Sequence, residues 1–299
     1  MYRLIMVPLD GSRFAESALP LALSVSRRTG APLHLVTVQE PIPSFAYDEW
    51  ESAAEDWSRE YLNHVVERVR PHTSAEVTAT LLTGHVVEAL EEEAKARSAD
   101  LVVMATHGRG AFSRAWLGSV TDAFIHHACR PVLLVRPPEG EGEVDLSREV
   151  AFGRMLVPLD GTELSESVLE HAVAFGTLFR TAFHLVRVVP YPMQFSSPYL
   201  PHTMQVNQQF VAEAKEAAAA YAETHAERLR KRDLEVETAV VVVAQPGHGI
   251  LAEAEDSRSD MVAMATHGRA GLTRAILGST ADKVVRGTRI PVLLYRPAD

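Results

Sequence analysis

The chain has 299 residues, a hydrophobic fraction of 46%, a charged fraction of 23% and a formal net charge of −10. That is enough chain for about two domains with real cores, and the acidic balance argues against a general nucleic-acid surface, which needs a basic face. A single cysteine, Cys129, excludes an internal disulfide and a cysteine-based zinc cluster.

Cys129 is expected to pack as a small apolar residue, in keeping with a reducing compartment. The opening MYRLIMVPLDGSR carries too short an apolar run for a signal peptide. No stretch reaches the ~18 consecutive apolar residues of a membrane span. A soluble, cytoplasmic protein with no membrane partner is the expectation.

In chain order, the first apolar run is RLIMVPL, followed by the helical pattern SALPLALSVSRRTG, whose final Gly30 stands where a helix cap belongs. PLHLVTV then precedes the helix WSREYLNHVVERVR; AEVTATLL precedes VVEALEEEAKARSAD; LVVMA precedes SVTDAFIHHA; PVLLV closes the series. These runs do not alternate apolar with polar residues, as suits strands buried on both faces of a parallel sheet. From Arg136 to Glu149, RPPEGEGEVDLSRE is rich in proline, glycine and acid and reads as a linker.

The series then begins again. RMLVPL, FHLVRVV, EVETAVVVV, MVAMA and PVLLY return in order, with the amphipathic FVAEAKEAAAAYAETHAERLRKRD as the long helix. MVPLDG (Met6–Gly11) matches LVPLDG (Leu156–Gly161), and MATHGRGAFSRAWLGS (Met104–Ser119) matches MATHGRAGLTRAILGS (Met264–Ser279). A period this long is no solenoid. It is a duplicated domain, divided here as residues 1–137, a linker over 138–151, and residues 152–299. The second copy is about ten residues longer between its second and fourth strands. Each copy reads as an open α/β sheet with helices on both faces.

Ligands of such sheets bind at the carboxyl ends of the strands, where strand order reverses. Two stretches lie there in each copy. The first is Pro8-Leu9-Asp10-Gly11-Ser12, matched by Pro158-Leu159-Asp160-Gly161-Thr162. Asp10 and Asp160 can accept hydrogen bonds from ribose hydroxyls, or simply close an Asp-Gly turn. The second is the repeated glycine string. Gly108 and Gly268 permit close backbone approach. Gly118-Ser119 and Gly278-Ser279 precede a helix, whose N-terminal N–H groups suit phosphate. Arg109, Arg114, Arg269 and Arg274 can balance charge, and His107 and His267 can contact phosphate. The competing reading is that Ser119-Val120-Thr121-Asp122 and Ser279-Thr280-Ala281-Asp282 are capping boxes and the glycines plain turns. There is no GxxxxGK[ST] and no lysine within either string, and the histidines show no metal spacing shared by the copies.

The glycine string resembles the nucleotide motif of the universal stress protein family, G-x2-G-x9-G-[ST]. Gly108 is its second glycine and Gly118-Ser119 close it; Gly268 and Gly278-Ser279 match likewise. VPLDGS, HLVTV and CRPVLLVR extend the resemblance over the whole chain as two tandem copies. One departure stands out: the motif's first glycine is Ala105 in one copy and Ala265 in the other.

The resemblance implies two tandem open five-stranded parallel sheets of order 3-2-1-4-5, Rossmann-like and akin to the adenine nucleotide alpha hydrolases. It implies ATP at the switch between the first and fourth strands. AMP or ADP is an alternative, and Mg²⁺ would be recruited through the phosphates. Asp10 and Asp160 would meet the ribose, Val38 and Val188 the adenine, and Met104 and Met264 would line the base pocket. Gly108, Gly118, Ser119 and Val120, with Gly268, Gly278, Ser279 and Thr280, would hold phosphate. Pro8, Ala105, His107, Arg109, Pro158, Ala265, His267 and Arg269 would border the same site. The resemblance further implies fifth strands paired between the domains, an intrachain pseudo-dimer, and a homodimer of chains.

Phosphoryl transfer needs a held metal and an oriented nucleophile. No shared acidic pair or general base accompanies the string, so the expected role is a nucleotide-dependent stress-response sensor, with at most slow hydrolysis or autophosphorylation. The alternative is a structural interaction protein that keeps the fold but binds no nucleotide, with Ala105 and Ala265 as the obstruction. The dissimilar segments EPIPSFAYDEWESAAED and PYPMQFSSPYLPHTMQVNQQ read as long loops near the site mouth, either lids or contacts.

Overall fold

The structure is a computed structural model and describes residues 2–41, 48–106, 117–138, 142–190, 203–266 and 277–297. By its own contacts the chain forms two compact units. One holds the first copy together with the last strand of the second copy, and the other holds the remainder of the second copy.

In the first unit the order is β1 (Ile5–Pro8), α1 (Arg13–Glu16), α2 (Leu19–Thr29), β2 (Leu33–Gln39), α3 (Asp48–Val69), β3 (Val77–Thr83), α4 (Val86–Ala96), β4 (Leu101–Ala105), α5 (Ser119–His127) and β5 (Val132–Val135). In the second copy it is β6 (Arg154–Leu159), α6 (Glu163–Glu166), α7 (Leu169–Phe179), β7 (Ala182–Pro190), α8 (Thr203–Arg230), β8 (Val236–Val243), α9 (Pro246–Asp256), β9 (Met261–Ala265), α10 (Ser279–Gly287) and β10 (Val292–Tyr295).

The first unit's strands run β3-β2-β1-β4-β5, the expected 3-2-1-4-5 order, all parallel. Strand β10 joins β5 antiparallel, with Leu293 opposite Leu133, so the two fifth strands pair. The second unit runs β8-β7-β6-β9, again parallel. Going from β1 to β3 the chain moves one way along the sheet, and from β4 onward the other. Right-handed crossovers therefore put α2 and α3 on one face and α4 and α5 on the opposite face. Double coverage is why the strands carry no alternation: Ile5, Met6 and Val7 are all fully buried, as are Leu101, Val102 and Val103.

Local chemistry sets the helix ends. Gly30, at φ +73, closes α2 in the left-handed conformation that glycine adopts without strain. The loops between β2 and α3 and between β7 and α8 are shorter than the sequence suggests, because the helices begin early, at Asp48 and Thr203. An Arg59–Glu55 pair one turn apart supports that extension of α3. The parts of these segments at 42–47 and 191–202 lie outside the described residues.

Cys129 is exposed, contrary to the expectation of an apolar packing role. It sits in the short turn between α5 and β5, where its neighbour Ala128 takes the buried position. The linker is not a bare tether: Val150 N donates to the buried Ser24 Oγ at 3.1 Å, Arg28 meets Glu149 at 2.8 Å, and Leu146 is buried.

A duplicated clamp ties the sheet's start. In the first unit the Asp100 carboxylate accepts from Arg3 N at 3.0 Å and Leu4 N at 3.2 Å. In the second, Asp260 accepts from Gly153 N at 2.6 Å and Arg154 N at 3.0 Å. A second repeated feature joins β2 to α4. Buried His34 bonds Glu93 through Nε2 and Thr78 through Nδ1, both at 2.8 Å, and His184 meets Glu253 at 2.7 Å. Burial pushes the His34 pKa below its ordinary value, with Arg97 acting in the same direction against the opposing influence of Glu93.

Candidate nucleotide site at the strand ends

The reversal of strand order lies between β1 and β4. Their register pairs Met6 with Val102, so Pro8 ends level with Met104. Pro8 also pairs with Val36 of β2, which sets Val38 just beyond the end of β1. Pro8, Asp10, Val38, Met104 and Ala105 therefore gather at one edge of the sheet. In the second unit β6 pairs with β7 and β9 in the same way, and Pro158, Asp160, Val188, Met264 and Ala265 gather likewise. Met104 and Met264 are buried at the ends of β4 and β9.

Asp10 organises the turn that follows β1. Its Oδ1 accepts from Ser12 N at 2.9 Å and from Ser12 Oγ at 2.6 Å, and that hydroxyl in turn accepts from Ala15 N to cap α1. Gly11 holds φ +79, a conformation that β-carbon-bearing residues avoid. Asp160 repeats the turn with Thr162, at 3.0 and 2.5 Å, and Gly161 holds φ +82. Burial raises the Asp160 pKa, but hydrogen bonds from Thr162 and Ser165 and the charge of Arg187 outweigh it and hold the carboxyl below its usual range. The Asp-Gly turn and a ribose-facing carboxylate are thus compatible: the turn occupies Oδ1 and fixes the side chain in place.

The helix at the other side of the cleft settles the competing reading of Ser119. The N-cap of α5 is Gly118, with φ −59 and ψ 144, and no side chain caps it among the described residues. Gly278 is likewise the N-cap of α10, with φ −53 and ψ 140. Ser119 and Ser279 are the first helical residues, so the capping-box reading fails by one position. A glycine N-cap brings no acceptor, which leaves the first-turn N–H groups without a side-chain cap among the described residues. The helix start is anchored to the end of β4: Gly118 N donates to Thr106 O at 2.8 Å, and Thr121 Oγ1 to Ala105 O at 2.9 Å. Val120 and Thr280 follow the serines in the same first turns.

Ala105 and Ala265 close ordinary strands and are not among the positive-φ residues. Alanine is therefore unstrained where the motif would carry its first glycine. His107, Gly108, Arg109, Arg114, His267, Gly268, Arg269 and Arg274 lie outside the described residues.

The sequence of the two copies that carry this geometry matches the model of the universal stress protein family over residues 1–136 and 151–296. The chain belongs to the universal stress protein family. A universal stress protein of Mycobacterium tuberculosis (strain ATCC 25618 / H37Rv) is 27% identical over 302 residues, covering 98% of this chain and 96% of that protein. One from Thermus aquaticus is 34% identical over 144 residues, covering 46% of this chain and all of that shorter protein. Among solved structures, a universal stress protein from Archaeoglobus fulgidus superimposes with a TM-score of 0.73 at 18% identity, covering 99% of this chain and 97% of that one. That likeness establishes the tandem fold.

Two features at these strand ends carry no signal in the glycine string. The Thr266 hydroxyl, just beyond β9, is buried without a hydrogen-bond partner among the described residues. Arg187, on β7, brings its guanidinium against the Asp160 turn: Nη1 lies 3.3 Å from Leu159 O. Arg187 stands in HLVRV where the first copy has Thr37 in HLVTV, and only this mismatch between the copies could have drawn attention to it. Among the described residues no group of three or more His, Cys, Asp and Glu side chains could hold a metal, and no helix is long and apolar enough to cross a membrane.

Proposed function

We propose that each copy binds ATP at the carboxyl edge of its sheet and that the chain acts as a nucleotide-dependent stress-response regulator. The observation that carries this reading is the pair of glycine-capped helix starts, Gly118-Ser119 and Gly278-Ser279, beside the Asp10 and Asp160 turns. Free N–H groups and the positive end of the helix dipole favour phosphate there. An acidic turn one strand away suits ribose hydroxyls. Adenine would lie against the backbone at Val38 and Val188, over Met104 and Met264. The unpartnered Thr266 hydroxyl is a donor such a ligand would satisfy. Any Mg²⁺ would be held by the phosphates, since no acidic cluster of the described residues supplies a cage.

On this reading residues 1–137 and 152–299 form the two nucleotide-binding domains, the chain works in the cytoplasm, and a second chain pairs with it as a homodimer. Purified protein should release an adenine nucleotide on heat denaturation, identifiable by chromatography, and Mg-ATP should raise the melting temperature of stripped protein. No released nucleotide together with no thermal shift in excess Mg-ATP would overturn the proposal in favour of a nucleotide-free interaction protein.

A further inference from the structure

The two sites share their turn and their helix start, but not their charge. In the first, the β2 residue beside the Asp10 turn is Thr37, which is neutral and buried. In the second, the equivalent residue is Arg187. Its guanidinium reaches back over the end of β6. Nη1 lies 3.3 Å from Leu159 O, and a β-carbon placed on Gly161 would lie 3.3 Å from Nη2. The guanidinium carbon lies over the Tyr221 ring of α8, 5.8 Å from its centroid. Arg187 also lowers the Asp160 pKa, after the hydrogen bonds of Thr162 and Ser165, which places its charge near that carboxylate.

A carboxylate alone accepts hydrogen bonds from a ribose diol and repels a ribose phosphate. A guanidinium beside that carboxylate reverses the second preference, because it meets phosphate with charge-assisted, paired N–H donors. Nucleotide sites at the ends of parallel strands use this exchange to tell a plain ribose from a phosphorylated one. We propose that Arg187 makes the second site selective for adenine nucleotides carrying an additional phosphate on the ribose, while the first site, with Thr37, takes the plain ribose. This inference rests on nucleotide binding at the two cleft sites.

The test uses the full chain and calorimetric titration with AMP, adenosine 2′,5′-bisphosphate, adenosine 3′,5′-bisphosphate and ATP. Wild type should bind at least one bisphosphate at one site per chain, about tenfold or more tightly than AMP. The two isomers separate a 2′ from a 3′ preference. Arg187→Thr should bring that site to the AMP level and leave ATP binding at the first site intact, which also reports that the variant is folded. Arg187→Lys, which keeps the charge but loses the fork, should retain part of the preference. An unchanged bisphosphate-to-AMP ratio in Arg187→Thr, with ATP still bound, would overturn the inference and leave the nucleotide reading standing. Failure of wild type to bind any of the four would sink both.

Discussion

Gly118→Asp, with Gly278→Asp in the other copy, separates a phosphate cradle from a plain turn, because the two roles predict opposite responses. Gly118 has negative φ and an extended ψ, which aspartate adopts without strain, and no side chain among the described residues caps α5. An aspartate there would accept from a first-turn N–H, a gain of a few tenths of a kcal/mol over glycine. Its charge at the positive end of the helix adds ~0.3–1 kcal/mol. The net should be ~0.5–1 kcal/mol per helix, raising the melting temperature by about 1–3 °C. The same carboxylate would take the acceptor role that a phosphate fills and would stand ~4 Å from it. At an effective dielectric of ~20 that repulsion is ~4 kcal/mol, roughly a thousandfold in affinity. Differential scanning calorimetry of nucleotide-free protein reads the first effect, and titration with Mg-ATP reads the second. Single variants should lose one site and the double variant both. ATP affinity that survives in the double variant would refute the assignment of phosphate to these helix starts.

Two further perturbations probe the scaffold. In Gly176→Ala, the new methyl would lie 2.5 Å from Phe183 Cζ, a fully packed ring, so chemical denaturation should show the second unit destabilised by about 1–3 kcal/mol; an unchanged midpoint would mean that α7 shifts freely. The depressed pKa of His34 means that the unfolded chain takes up a proton before the folded one does. Stability from this residue is full above the unfolded value near 6.5 and is lost as the pH falls from there towards the folded value. Burial depresses His171 as well, and it contributes with the same sign. His34→Gln should therefore flatten the stability–pH slope below pH 6.5, by up to ~1.4 kcal/mol per pH unit, and parallel slopes for the two proteins would argue against it.

Much of the candidate site was legible in the chain because its parts are local. The Asp-Gly turns, the strand that precedes each glycine string and the helix that follows it are runs of neighbouring residues, and duplication shows each of them twice. Runs such as LVVMA, with no alternation, dictate strands covered on both faces, and that selects a parallel α/β sheet. What the sequence left open involves choices between neighbouring positions or contacts across the chain. A glycine-serine pair before a helix does not say which residue is the cap; the fold assigns it to Gly118 because Gly118 N is bonded to Thr106 O at the end of β4. Cys129 looked apolar in isolation, and the turn between α5 and β5 exposes it.

By itself, then, the sequence determined the duplicated α/β fold and the family and pointed to each candidate site, since patterning and turn chemistry act over a few residues. The resemblance already implied that the fifth strands pair, but only the tertiary structure decided that β10 meets β5 antiparallel with Leu293 on Leu133, because register between two apolar strands is a long-range choice. Only the tertiary structure set Arg187 over the Asp160 turn. Arg187 lies on β7 and Asp160 in the turn after β6, and parallel pairing of β6 with β7 brings a charge to that turn where the first copy has Thr37.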